Sequence, residues 1–232
     1  MRIAENLGIV RQRIEAAAQR CGRNASDIAL MAVSKTHPPQ LIREAWEAGV
    51  RLFGENRVQE FAEKASNLSD LRGAQWHMIG HLQTNKAAKA VELFGAVDSV
   101  DSVKLAQKLD AAAQSLGKKM SVLIEINVGG ETAKSGVAPE SRELEELLSA
   151  AGGFGHLELR GLMTVPPYFD DPEAARPYFR KLRESRDQIA ARHLPGVGME
   201  VLSMGMSHDF EVAIEEGSTC VRVGTAIFGE RE

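Results

Sequence analysis

Met31-Ala32-Val33-Ser34-Lys35-Thr36-His37-Pro38 closes an apolar, β-branched run that begins near Ile28, and Pro38-Pro39 then opens a segment of helical periodicity. A strand handing over to a helix is the repeating unit of a parallel sheet. That order puts Lys35 at the carboxyl end of a buried strand, where its side chain leaves the sheet and faces a mouth. Low-dielectric walls there disfavour the charged amine and lower its pKa. Such an amine can form a Schiff base with an aldehyde or ketone. The alternative is a lysine that snorkels to solvent at a strand end.

The same pattern continues in both directions. Apolar runs occupy 28–33, 51–53, 75–79, 96–100, 121–126, 157–163, 200–202 and 220–223. Helical faces lie between them: Leu41, Ile42, Ala45 and Trp46; Ala87, Ala90, Val91 and Phe94; Leu105, Leu109 and Ala112; Leu144, Leu147 and Leu148. A longer helix is expected over 172–193 and a shorter one around Phe210, Ala213 and Ile214. Eight strand units alternating with helices fit closure into a single (β/α)8 TIM barrel better than an open doubly wound sheet. Ahead of the first strand, Ile3, Leu7, Val10, Ile14, Ala17 and Cys21 recur at spacings of four and three, one apolar helical face. Gly22 and Asn24 end that helix. The reading is one α/β domain over 1–232, with an extra amino-terminal helix at 1–22 packed on the barrel.

Composition narrows the function. The chain has 232 residues, 44% hydrophobic, with a net charge of −4. Mild acidity disfavours a nucleic-acid or membrane-surface binder. No run is long and apolar enough to span a bilayer, and the amino terminus lacks a secretion-signal core. Cys21 and Cys220 are far apart and without metal-ligand spacing, so both are read as reduced thiols of a cytoplasmic protein. A closed barrel needs no second copy to fold, so a monomer is expected.

In such a barrel, functional groups collect at the carboxyl ends of strands. Those positions carry Lys35, then Gly54-Glu55-Asn56-Arg57, Gly80-His81-Leu82-Gln83-Thr84-Asn85-Lys86, Asp101-Ser102, Asn127, Met163-Thr164, the segment Ser203 to Asp209, and Arg222-Val223-Gly224-Thr225. The 203–207 loop runs directly into a helix, and Gly224-Thr225 follows the last strand. Backbone N–H groups at a helix start with serine and threonine hydroxyls suit a phosphate; Ser207 as a plain helix N-cap is the competing view. Arg222 alternates with Val221 and Val223, so it faces the interior or pairs with a carboxylate among the helices. Near a cofactor ring it would be a fixed donor to a ring nitrogen, leaving that nitrogen unprotonated. Gly129 to Ser135 is rejected as a phosphate loop because Ala133 stands where a glycine is required. His77 and His81 lack a carboxylate spacing that would complete a zinc site. Met163, Met204 and Met206 line either a core or a pocket wall.

These motifs resemble those of the pyridoxal 5′-phosphate homeostasis protein family, whose barrel is similar to the amino-terminal domain of alanine racemase. The resemblance spans Ile28 to Gly229. It rests on Ala32-Val33-Ser34-Lys35-Thr36, Phe53-Gly54-Glu55-Asn56-Arg57, the segment Trp76 to Lys86, Ser203-Met204-Gly205-Met206-Ser207-His208-Asp209-Phe210, and the segment Arg222 to Gly229. It implies pyridoxal phosphate joined to Lys35 as a Schiff base. It further implies Ser203, Ser207, Gly224 and Thr225 on the phosphate, Arg222 toward the pyridine nitrogen and Asn56 beside the ring, with His81, Met163 and Met204 completing the pocket. Family members are regarded as carriers or regulators of the cofactor pool, affecting amino-acid and keto-acid balance, with PLP-requiring apoenzymes as possible partners.

The leading expectation is therefore a non-catalytic cofactor-binding protein. A two-base racemase needs a second acid–base group on the other substrate face. In the racemases this comes from a further β domain, which the chain, ending soon after the eighth strand, is expected to lack. Two alternatives stand beside it: a PLP-dependent amino-acid racemase using Lys35, alone or with His81, and a cofactor-free class I aldolase with Lys35 on a sugar phosphate.

Overall fold

Alternation along each strand sets which side chains fill the barrel and which meet the helices. In β1 (Ala29–Val33) Ala32 joins the outer apolar layer, with Phe53 of β2 (Leu52–Glu55) and Met78 of β3 (Gln75–Met78). Met31 and Val33 take the opposite parity and point inward. The remaining strands are β4 (Ala96–Val100), β5 (Met120–Glu125), β6 (Leu157–Met163), β7 (Val197–Ser203) and β8 (Cys220–Val223). In this computed structural model, which describes residues 2–131 and 135–230, the eight strands pair in chain order and close into a parallel barrel. Closure runs through β1 and β8, with Met31 beside Arg222. The (β/α)8 barrel expected from the sequence is the observed fold.

Helices α1 (Arg2–Arg20), α2 (Pro39–Glu47), α3 (Val58–Ala65), α4 (Ala87–Leu93), α5 (Val103–Ser115), α6 (Arg142–Ala151), α7 (Arg176–Ala190), α8 (Phe210–Glu215) and α9 (Thr225–Phe228) surround it. α3 and α9 were not expected. Val58 and Phe61 are the large apolar side chains that α3 buries, and Gln59 and Glu60 separate them. Four residues are too few for α9 to show a period. The helix expected over 172–193 starts as a 3-10 turn (Pro172–Ala175) and becomes regular only at Arg176.

α1 buries Leu7, Val10, Ile14 and Ala17 against α8 and α9. Arg13 pairs with Glu211 at 2.7 Å, Arg20 with Glu215 at 2.8 Å, and Asn6 Nδ2 donates to the Ile227 carbonyl at 2.9 Å. The helix thus braces the two short helices that follow β7 and β8. Cys21 and Cys220 are both free thiols. Burial pushes the Cys220 thiol up to about 12, so it is unreactive at neutral pH. Among the described residues no helix is long and apolar enough to cross a membrane.

β6 pairs with β7 through a register shift between Leu159 and Gly161. Gly161 has φ +155°, and a Cβ there would lie 1.8 Å from the Val201 carbonyl oxygen. Any side chain must push the two strands apart. Gly161→Ala is expected to lower unfolding free energy by at least about 3 kcal/mol. Chemical denaturation measures this, and a loss under about 1 kcal/mol would show that the strands separate there without strain.

Candidate functional site

β1 ends at Val33, and the turn that follows it carries Lys35 at the carboxyl end of the strand. The turn presenting Lys35 is tied from below. Ser34 Oγ donates to Glu55 Oε1 at 2.6 Å, and the Ser34 carbonyl accepts from Lys64 Nζ at 3.1 Å. Lys64, on α3 and almost fully buried, also contacts Glu55 at 2.9 Å and Glu60 at 3.1 Å. Glu60 Oε1 in turn accepts from the Thr36 N–H at 2.5 Å. Thr36 has φ +66°, unusual for a β-branched residue, and this carboxylate holds it there.

On the neighbouring strand β8, Arg222 is 3% exposed, inside the barrel. Its Nη1 donates to the Ser203 carbonyl at 2.8 Å and to Ser203 Oγ at 2.7 Å, and Nη2 to the Thr164 carbonyl at 2.6 Å. Burial pulls the guanidinium pKa down, while Cys220, Asp98, Glu125 and Asp209 oppose that pull. A side chain never deprotonated in proteins stays a donor here. Two residues further on, at Gly224, the two loops expected to suit a phosphate meet. Ser207 Oγ accepts from the Gly224 N–H at 3.1 Å and the Ala226 N–H at 3.3 Å, so two amides at the start of α9 converge on one oxygen. Asp209 closes the 203–209 loop by accepting the Met206 N–H at 2.6 Å. Gly205 has φ +94°, and a Cβ there would lie 2.6 Å from Ala213 Cβ, so the loop can lie this close to α8 only with glycine.

The expected residues therefore divide. Lys35, Arg222, Ser207, Gly224 and Thr225 gather at the carboxyl end of β1, β7 and β8. Asn56 lines a cleft on the opposite side of the mouth with Gly80, His81, Glu125 and Asn127. Met163 is buried with inward parity, between Glu125 and Ser203 in register. His81 sits at the rim, its Nδ1 3.3 Å from Asp101. Ser203 is fully buried and engaged by Arg222, which places its hydroxyl beneath the loop. Met204 requires a correction. One step beyond inward Ser203 its side chain falls in the outer apolar layer, its N–H donates to Cys220 O and its carbonyl accepts from Ser218 Oγ. Met204 serves the fold. The rejected 129–135 loop includes 132–134, which lie outside the described residues. Among the described residues no metal-ligating cluster exists; His77 instead pairs with Asp98 at 3.0 Å.

Sequence reasoning missed Glu125. It ends β5 with inward parity, is 7% exposed, and its Oε2 is buried without a hydrogen-bond partner among the described residues. Burial raises its pKa to about 7, against the pull of Arg222 and His81 and with a push from Asp101. Its one sequence signal is a carboxylate inside the apolar run 121–126.

The profile for the alanine racemase N-terminal domain matches residues 6–232. A pyridoxal phosphate homeostasis protein of Aquifex aeolicus is 47% identical over the full length of both chains. This chain belongs to the pyridoxal phosphate homeostasis protein family. PipY of Synechococcus elongatus PCC7942, another similar chain, has a solved structure with PLP bound. That structure superposes with a TM-score of 0.85 at 37% identity, covering 98% of this chain and all of PipY. An alanine racemase of Clostridium difficile 630 shares the fold, with a TM-score of 0.70 at 18% identity. The chain covers 57% of that racemase, so it matches the barrel part of a longer enzyme.

The Glu125 carboxyl makes stability depend on pH. Its folded pKa lies above its unfolded value, so the native state holds the extra proton between about 4.5 and 7, and stability falls as pH rises through that window. Glu125→Gln is expected to match wild type at pH 4 and to exceed it at pH 8 by up to about 3 kcal/mol. Urea melts at the two pH values check this; an equal difference at both would assign the carboxyl an ordinary pKa.

Proposed function

We propose that this chain binds pyridoxal 5′-phosphate at the barrel mouth and serves intracellular cofactor homeostasis, as a carrier or regulator rather than a catalyst. One observation supports the reading: the turn carrying Lys35, a buried guanidinium and a pair of converging amides lie at the same end of the barrel, on the adjacent strands β8 and β1. The residues fit the group. The Gly224 and Ala226 amides already enclose an oxygen, the position a phosphate oxygen would share with Ser207 Oγ, and Thr225 stands exposed beside them.

Bound there, the cofactor supplies an aldehyde that condenses with a primary amine. Lys35 is the amine we assign to it. The Glu55, Glu60 and Lys64 contacts keep the Lys35 turn fixed, and Arg222 offers a donor that leaves a facing ring nitrogen unprotonated. A ring nitrogen without its proton draws electrons weakly, which favours storage over amino-acid chemistry. Asn56 and Met163 would border the ring. The names of the relatives support homeostasis as the role. PLP-requiring apoenzymes are the recipients we propose, in the cytoplasm, where two free cysteines persist as thiols.

Added pyridoxal phosphate is expected to give the protein the longer-wavelength absorbance of an imine, distinct from that of the free aldehyde and lost in Lys35→Ala. That variant should still bind the cofactor, more weakly, through the anion site. Ser207→Ala and Thr225→Val should each weaken binding by about 1–2 kcal/mol. Absence of that imine absorbance in wild type would instead favour an aldolase, and lysine-dependent turnover of a single amino acid would favour a racemase. Unchanged affinity in both hydroxyl variants would move the phosphate elsewhere.

A further inference from the structure

The mouth has two chemically different sides. The β7–β8 side offers N–H donors to an anion; the β3–β5 side carries carboxylates. Glu125 forms the inner wall of a cleft of about 280 Å3, whose other walls include Ile79, Ile126 and Val165. Its Oε2 is buried and has no hydrogen-bond partner among the described residues, an arrangement that costs free energy and persists only where something offsets it. The charged groups facing Glu125 are Arg222 of β8, Asp101 after β4 and His81 after β3. Arg222 is held by Ser203 and Thr164, and His81 by Asp101. Among the described residues no donor reaches that acceptor, which leaves it open to a donor from a ligand. Among the described residues no three ligands converge for a metal, and the apolar walls suit carbon.

We infer that this side of the mouth is a subsite for a small organic ammonium ion, whose N–H donates to Glu125 Oε2 while its carbon part lies against Ile79 and Val165. This deepens the cofactor reading and takes its biological sense from it: an amine-bearing metabolite would be held beside the cofactor. The cation favours ionised Glu125, so binding and deprotonation are linked.

Trimethylammonium is the probe, because it carries one N–H and forms no imine; tert-butanol is its neutral counterpart. Both are titrated into the full chain, with and without pyridoxal phosphate, while the Gly80 and Asn127 amides and the Glu125 carboxyl are followed by NMR. Saturable binding of trimethylammonium is expected, tightening about tenfold from pH 6 to pH 8 as Glu125 ionises around 7, and lowering the Glu125 titration midpoint. Glu125→Gln should bind at least tenfold more weakly at pH 8, with a flat pH profile. Binding by Glu125→Gln equal to wild type, equal binding of tert-butanol, or a response that never saturates overturns the subsite. Cofactor attachment to Lys35 is measured by mass on the same samples. Trimethylammonium binding without attachment would sink the cofactor reading alone, and attachment without trimethylammonium binding would sink the subsite alone.

Discussion

A guanidinium enclosed in an apolar barrel is the constraint to which the mouth is built. Arg222 cannot shed its proton, so burial obliges the strand ends around it to supply acceptors. Ser203 gives its carbonyl and hydroxyl, and Thr164 its carbonyl, which locks the carboxyl ends of β6 and β7 to β8. Thr164 Oγ1 passes the link on to the Ile126 carbonyl at 2.7 Å. Four consecutive strand ends thereby share one framework. The 203–209 loop and the Gly224 turn inherit their placement from it, and α1 braces them from outside through Glu211 and Ile227.

The β1 side is organised by a second buried cation. Lys64 lies beneath the Lys35 turn and draws Glu55, Glu60 and the Ser34 carbonyl together. Burial raises the Glu55 pKa and Lys64 opposes it, so the pair is held by mutual need. Glu60, its own carboxyl held below the usual range by the Thr36 amide and Lys64 despite partial burial, fixes the left-handed Thr36. Two buried cations thus hold adjoining parts of the rim, Arg222 at β6 to β8 and Lys64 at β1 and β2, and the Lys35 turn follows β1 between them.

How far the sequence disclosed this follows from the range of each interaction. Strands announced themselves because apolar runs are local, and Arg222 did because a charge between two valines contradicts its surroundings. Lys35 is legible as the residue just past an apolar strand run. Met204 neighbours inward Ser203, and a one-residue step along a strand reverses the face, which puts its side chain in the outer layer. Glu125 was illegible as a site because its meaning lies in a missing partner, which only packing defines. The Ser207 contact to Gly224 joins positions 17 apart and has no sequence period. α3 stayed hidden because its buried Lys64 reads as a solvent-facing charge.

Borohydride reduction of the chain mixed with pyridoxal phosphate, followed by peptide mapping, tests the central claim most directly. The account predicts one cofactor per chain, on the peptide containing Lys35, with Lys64 unlabelled behind its carboxylates. Label spread over exposed lysines, or absent from the Lys35 peptide, would contradict it.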